Sequence, residues 1–215
     1  MGNISSNTVR ILNELSDGVE LVAAGKGRSA EDILEAVEAG VKIIGENYVQ
    51  EAEEKFSLIG PKVKWHFIGH LQKNKVKRAV RIFDMIETVD SVEIAAIVNK
   101  SCSEIKKVMP VLIEVNSAKE ENKSGVFPED LENLVKDMLG FKNIKVSGLM
   151  TMGPALKNPE DYRPYFRDTK ALFDKIKINH DIKYLSMGMS DSYCIAIQEG
   201  ANLIRLGTAI FGARR

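Results

Sequence analysis

A lysine flanked by two glycines, Gly25-Lys26-Gly27, follows the largely apolar segment Val19–Ala24. Such a segment predicts a short buried strand, which places Lys26 at the carboxyl end of that strand. Three roles are open to the amine: a solvated surface charge, a counter-ion to a bound phosphate, or a nucleophile that forms an imine with an aldehyde. Lysine suits the last role because burial and neighbouring cations lower its pKa and free the nitrogen lone pair.

Near the end of the sequence, a serine and a glycine-threonine pair form a candidate anion site. Ser190 lies in "MGMSDS", between a predicted strand and a short helix that it would cap, and Gly207-Thr208 follows the last apolar segment. The unpaired N–H groups in the first turn of a helix attract anions. Gly207 permits close backbone approach and Thr208 adds a hydroxyl group, so these residues predict a phosphate site.

A charged residue, Arg205, interrupts the largely apolar segment Ala201–Gly207. A charge that points into a protein core needs a partner. One interpretation is an ion pair with a nearby glutamate, and the other is a permanent hydrogen-bond donor to a ring nitrogen. The residues leave both open.

All of these residues follow short apolar segments that alternate with helical patterns. The eight predicted strands are VELVAA, VKIIG, KWHFIG, DMIETV, VMPVLIEVN, IKVSGLMTM, IKYLSMG and ANLIRLG, and an amphipathic helix precedes the first. Each strand but the last is followed by a predicted helix, and helix starts are marked by Ser29, by Asp90 or Ser91, and by Pro128. This alternation indicates parallel strands joined by crossover helices.

Eight strand-helix units in about 200 residues match a single (β/α)8 TIM barrel, an α/β fold, here with an extra N-terminal helix. An open doubly wound sheet is the alternative, but the GxGxxG pattern of dinucleotide-binding folds does not follow the first strand. No linker-like segment divides the sequence, which predicts one domain over residues 1–215.

Closure of the barrel would pair the eighth strand with the first and bring Lys26 beside the predicted phosphate site. Loops after the seventh and eighth strands are the usual phosphate site of this fold. An imine-forming lysine, a phosphate site and an arginine facing a ring nitrogen together fit pyridoxal 5′-phosphate (PLP). The sequence therefore predicts a PLP site at the carboxyl end of the barrel.

Five motifs carry a resemblance to a known family: "IGENYVQE", "WHFIGHLQKNK", "GLMTM", "LSMGMSDSY" and "IRLGTAIFGAR". The sequence resembles the pyridoxal-phosphate homeostasis proteins, the YggS/PROSC family, from the first strand to Arg214. The resemblance implies a barrel similar to the N-terminal domain of bacterial alanine racemase. It also implies PLP held as a Schiff base (an aldimine) and a part in intracellular vitamin B6 homeostasis as a carrier or reservoir.

Matched position by position, the resemblance implies six cofactor-binding residues: Lys26, Asn47, Ser190, Arg205, Gly207 and Thr208. Lys26 would form the Schiff base, Arg205 would face the pyridine nitrogen, and Asn47 would lie beside the ring. Ser190, Gly207 and Thr208 would hold the phosphate. Family members commonly have bulkier residues around the lysine, so "AGKGR" predicts fewer side-chain contacts and a looser loop here.

Three functions stay open: a non-catalytic PLP holder, a PLP-dependent amino-acid racemase of low activity, and a phosphate-binding barrel without aldehyde chemistry. A racemase of this type needs one base on each face of the cofactor, and in alanine racemases a tyrosine from a further domain supplies the second. The sequence predicts no such domain, and its tyrosines are expected in helices or loops, with Tyr48 the candidate near the barrel mouth. An arginine on the ring nitrogen leaves that nitrogen unprotonated and weakens carbanion stabilisation. The non-catalytic function is therefore predicted, and structural hydrogen bonds are predicted for His66 and His70.

Charge and cysteine content limit the partners. Thirty basic and thirty acidic residues cancel, and the basic run Lys73–Arg78 is predicted to be a solvated helix face, so nucleic-acid binding is not expected. Cys102 and Cys194 lack metal-ligand spacing, and reduced thiols fit the cytoplasm. The sequence predicts neither a signal peptide nor a membrane span. A monomer is expected, with PLP-dependent apo-enzymes as possible recipients of the cofactor.

Overall fold

Eight short parallel strands close into a barrel in which every strand pairs with its neighbours in sequence, and the eighth pairs with the first. The computed structural model describes residues 3–213, so the ends of the predicted domain and Arg214 lie outside the described residues. The strands are β1 Glu20–Ala24, β2 Ile43–Glu46, β3 Lys64–Phe67, β4 Met85–Val89, β5 Met109–Glu114, β6 Ile144–Met150, β7 Tyr184–Ser186 and β8 Leu203–Leu206. The predicted (β/α)8 barrel is confirmed.

Helices surround the strands, and one precedes them. The α-helices are α1 Asn3–Glu14, α2 Ala30–Glu38, α3 Val49–Ile59, α4 Val76–Ile82, α5 Val92–Glu104, α6 Leu131–Met138, α7 Arg163–Lys177, α8 Tyr193–Gln198 and α9 Thr208–Phe211; 3-10 turns are Gly60–Lys62, Lys73–Lys75, Pro128–Asp130 and Pro159–Tyr162. The hydroxyl oxygens of Ser29 and Ser91 accept hydrogen bonds at the starts of α2 and α5, as local capping patterns predict. Among residues 3–213, no helix is long and apolar enough to cross a membrane.

Two local predictions are wrong. Ser190 does not cap α8, which begins at Tyr193 with Ser192 at the N-cap position. A turn separates Ser190 from the helix: the N–H groups of Ser192 and Tyr193 both donate to the carbonyl of Met189, at 3.0 and 2.8 Å. The tyrosines are predicted in helices or loops, but Tyr184, which also falls in the predicted strand IKYLSMG, is the first residue of β7.

The apolar core has two parts. The larger part lies between the strands and the surrounding helices and includes Ile33, Trp65 and Phe166. The smaller part fills the inside of the barrel with seven buried residues: Val22, Ile43, Ile68, Met85, Leu112, Met150 and Leu203. Because side chains alternate along a strand, the interior also receives polar residues near the carboxyl ends of the strands, where the cavity described below opens.

Candidate functional site

A cavity of about 410 Å³ opens at the carboxyl ends of β1, β2, β7 and β8. Its lining contains all six residues that the sequence predicts for the cofactor: it is formed by Ala24, Lys26, Arg28, Asn47, Ile68, Met152, Met189, Ser190, Asp191, Arg205, Gly207 and Thr208. The pairing of β1 with β8 explains this assembly, since Ala23 is in register with Leu206. The residues that follow these two strands, Lys26 and Gly207, therefore face the same space.

Lys26 reaches the cavity from the turn after β1. Its ammonium group lies 5.1 Å from the centre of the Tyr48 ring, a cation–π contact. Within the part of the chain that the structure describes, no carboxylate lies at ion-pair distance from this ammonium group; the nearby acids Glu46 and Glu51 pair with Lys55 instead. The Lys26 amine is therefore free to meet a ligand in the cavity.

The glycine loop around Lys26 is tied down, contrary to the looser loop predicted from "AGKGR". The N–H of Gly25 donates to the Gly45 carbonyl at 2.9 Å, and the Gly25 carbonyl accepts from the N–H of Arg28 at 2.9 Å. A Cβ on Gly25 would lie 2.6 Å from Oε1 of Glu46, whereas Gly27 has a φ of +67° that favours glycine. Sequence reasoning missed the contacts of Gly25 with Gly45 and Glu46 because those residues belong to β2, about 20 residues further along the chain.

The predicted phosphate residues join two loops. Oγ of Ser190 accepts hydrogen bonds from the N–H groups of Gly207 and Ala209, at 3.2 and 3.1 Å. Ser190 thus holds the loop after β7 against the start of α9, a helix of four residues. Within residues 3–213, the N–H groups of Ser190, Asp191 and Thr208 have no hydrogen-bond acceptor. Exposed N–H groups of this kind suit an anion.

Two charged residues at the cavity were not predicted. Arg28 lies in the same loop as Lys26, donates to the Gly212 and Ala213 carbonyls, and stacks over the Phe211 ring at 5.6 Å. It therefore attaches the loop to α9 and adds positive charge to the wall. Asp191 adds an exposed carboxylate. Arg28 stands two residues after Lys26, but nothing in the sequence indicates that α9 folds back onto it.

Arg205 lies almost fully buried at the floor of the cavity, with 3% of its surface exposed. Its guanidinium donates to Oγ of Ser186 at 2.5 Å and to the Thr151 carbonyl at 2.9 Å. Oγ of Ser186 in turn donates to Glu87 at 2.6 Å, and Glu87 lies 3.9 Å from the guanidinium. The predicted glutamate partner therefore exists, and it fixes the arginine without removing it from the cavity.

Glu87 and His66 complete this buried group. Nδ1 of His66 and Oε1 of Glu87 lie 2.7 Å apart. Burial opposes ionisation of Glu87, but the His66 hydrogen bond and the Arg205 charge hold the pKa of that carboxyl below its usual value. Burial lowers the pKa of Arg205, an effect that the charges of Glu87 and Glu114 oppose. His66 and His70 both make side-chain hydrogen bonds outside the cavity lining, His70 to Ser124 at 3.1 Å.

Comparison with known proteins decides the family. Residues 1–215 match the family model described as alanine racemase, N-terminal domain. The pyridoxal phosphate homeostasis protein of Aquifex aeolicus strain VF5 is 42% identical over 199 residues, which cover 91% of this chain and 87% of that protein. This chain belongs to the pyridoxal phosphate homeostasis protein family. The predicted family is confirmed.

Solved structures of similar proteins have the same barrel. PipY of Synechococcus elongatus PCC7942, solved with PLP bound, is 30% identical, with a TM-score of 0.90 over 98% of this chain and 100% of that chain. An alanine racemase of Clostridium difficile 630 is 15% identical, with a TM-score of 0.76 over 96% of this chain and 58% of that chain. The alanine racemase comparison shows a shared fold alone, whereas PipY is a more similar protein that was solved with PLP bound.

Proposed function

We propose that this chain binds PLP in the 410 Å³ cavity and takes part in vitamin B6 homeostasis as a carrier or reservoir. The observation that carries the proposal is that three features converge on one cavity: a lysine that has no ionic partner among residues 3–213, backbone N–H groups that are unpaired within the same residues, and a buried arginine. PLP is bound in the related PipY structure, and the Aquifex relative is named for PLP homeostasis, which supports the proposal.

The residues fit the chemical groups of PLP, which supplies an aldehyde that reacts reversibly with amines. Lys26 would hold the aldehyde carbon covalently, and Asn47 would line the wall beside the ring. Ser190, Gly207 and Thr208, with the N–H groups around them, would bind the phosphate. The cavity lies within the roughly 300–1,000 Å³ of small-molecule sites.

Arg205 would face the pyridine nitrogen. A guanidinium has five N–H donors and stays charged, so it donates a hydrogen bond and leaves the ring nitrogen unprotonated. The position of the Arg205 guanidinium is fixed by its hydrogen bond to Ser186, which in turn donates to Glu87. An unprotonated ring withdraws electrons weakly, so the arrangement favours holding the cofactor over turning substrates over.

The alternative function is that of a racemase of low activity, and one contact, between Tyr48 and Lys26, gives a reason to test for it. Tyr48 lies against the Lys26 ammonium group with 49% of its surface exposed, so a phenol that can carry a proton stands beside that amine. We expect no racemisation above that of free PLP when the protein is incubated with each amino acid. Turnover at enzymatic rates that is lost in both Lys26→Ala and Tyr48→Phe would establish the racemase instead.

Several predictions from the sequence stay predictions. These are one PLP-binding domain over residues 1–215, a monomer, a cytoplasmic location, no binding to nucleic acid or membranes, and transfer of PLP to apo-enzymes. Cys102 and Cys194 are both free thiols, which is compatible with a reducing compartment.

The proposed cofactor site is tested by titrating the purified protein with PLP and following its absorption spectrum. We expect the wild-type protein and Lys142→Ala, which alters an exposed lysine outside the cavity, to develop the absorption band of a PLP imine. Lys26→Ala should lose this band and keep weaker, phosphate-driven binding. The same band in Lys26→Ala would show that PLP is attached elsewhere.

A further inference from the structure

Helix α3 holds the backbone on both sides of Lys26. Nζ of Lys55 donates to the carbonyl of Gly25 at 2.8 Å, on one side of Lys26. On the other side, the N–H of Gly27 donates to Oε2 of Glu51 at 3.0 Å. Glu51 and Lys55 are one helical turn apart, and their charged groups lie 3.5 Å from each other. One face of α3 therefore clamps the loop that presents the amine.

A buried ion pair anchors this clamp. Nζ of Lys55 lies 2.6 Å from Oε1 of Glu46, the last residue of β2, and the two residues are 8% and 0% exposed. The missing side chain at Gly25 leaves room for the Glu46 carboxylate. A buried ion pair is often no more stabilising than apolar residues of the same size. Stability alone therefore does not account for a charged pair at this position.

We propose that Lys55 and Glu51 are positioning residues that aim the Lys26 amine at the aldehyde of the cofactor. A lysine side chain is long and flexible, so the place its nitrogen reaches depends on how firmly its backbone is held. Imine formation joins the amine nitrogen to the aldehyde carbon and releases one water molecule, and its rate depends on that alignment. This inference rests on the proposed function, because it assumes that Lys26 captures an aldehyde.

The main test compares Glu51→Ala with Glu51→Gln in a rapid-mixing experiment with PLP. Glu51→Ala removes the acceptor of the Gly27 N–H, whereas Glu51→Gln keeps an acceptor oxygen and loses the charge. We expect the rate of imine formation to fall on the order of tenfold in Glu51→Ala. A misplacement of the reacting groups by about 1 Å can reduce a rate roughly 100-fold, so the expected loss lies within that limit. Glu51→Gln should stay within about twofold of the wild-type rate, because the hydrogen bond that holds Gly27 is kept.

Glu54→Ala is the matched control, since Glu54 lies on α3 but is exposed, and within residues 3–213 the hydrogen bonds between α3 side chains and the loop are made by Glu51 and Lys55. Lys55→Met should slow imine formation like Glu51→Ala if it folds. Because Glu51 is partly exposed, its variants keep the proposal testable when Lys55→Met does not fold. Equal rates in the wild-type protein, Glu51→Ala and Glu54→Ala would overturn the proposal.

A second measurement needs no cofactor. Hydrogen exchange of the Gly27 N–H in the PLP-free protein should be faster in Glu51→Ala than in Glu54→Ala, because only the first variant frees that N–H. Unchanged exchange would contradict the clamp itself. Failure of wild-type protein to form any imine on Lys26 would instead contradict the proposed function, so the two failures are distinguishable.

Discussion

Replacing Gly25 with alanine tests how closely the lysine loop packs against the Glu46–Lys55 pair. A Cβ at this position would lie 2.6 Å from Oε1 of Glu46 and 3.0 Å from Cδ1 of Ile33. Both neighbours are 0% exposed, and Lys55 holds the Glu46 oxygen at 2.6 Å, so neither can move aside freely. Overpacking of this kind costs about 1–3 kcal/mol.

Gly140→Ala is the matched control, since the nearest atom to its Cβ would be 3.9 Å away. Both substitutions reduce the freedom of the unfolded chain to a similar degree, so the difference between them isolates the clash. Urea denaturation followed by circular dichroism should place the free energy of unfolding of Gly25→Ala about 1–3 kcal/mol below that of Gly140→Ala. A difference below about 0.5 kcal/mol, the range of ordinary surface substitutions, would refute the close packing of Gly25 against Glu46 and Ile33.

Three further predictions concern other buried or capping groups. Burial raises the pKa of Glu114 to about 7 from 4.5, with Asp90 adding to the rise and Arg205 opposing it. The native state then keeps a proton that the unfolded chain releases, so the stability of the wild-type protein falls as pH rises from about 4.5 through about 7. Glu114→Gln should avoid this loss. Urea denaturation should find the variant more stable than the wild-type protein by up to about 3 kcal/mol at pH 8 but not at pH 4. Parallel pH profiles would contradict it. Ser91→Ala removes a helix cap and should lower the free energy of unfolding by about 1 kcal/mol in thermal denaturation, with no change in PLP affinity. Ser190→Ala removes the acceptor of two N–H groups and should weaken PLP binding about fivefold or more in equilibrium dialysis, and wild-type affinity would contradict its role.

The barrel could be predicted from the sequence because its signals are local. Strands buried on both faces read as short apolar segments, and the serines at positions 29 and 91 cap helices through hydrogen bonds that span three residues. The order of the segments then determines the pairing, since consecutive parallel strands lie side by side. The position of the cavity could be predicted in the same way, because the loops that follow neighbouring strands lie at one end of the barrel.

Contacts between distant segments could not be predicted. Ser190 has the sequence pattern of a helix cap, yet its hydroxyl accepts from Gly207 and Ala209, which belong to the next strand-helix unit. The glycine loop looked loose because Lys55, its hydrogen-bond partner, comes from α3. Such interactions depend on how helices dock on the barrel, and a single sequence carries no direct signal for them.

The most direct test of the central claim is peptide mass spectrometry after borohydride reduction of the protein mixed with PLP. Reduction makes a lysine imine permanent, so the modified residue can be read from the digested peptides. We predict that the PLP-derived mass is found on Lys26 and on no other lysine. An unmodified Lys26 under conditions where PLP binds, or label on another lysine such as Lys55, would contradict the account.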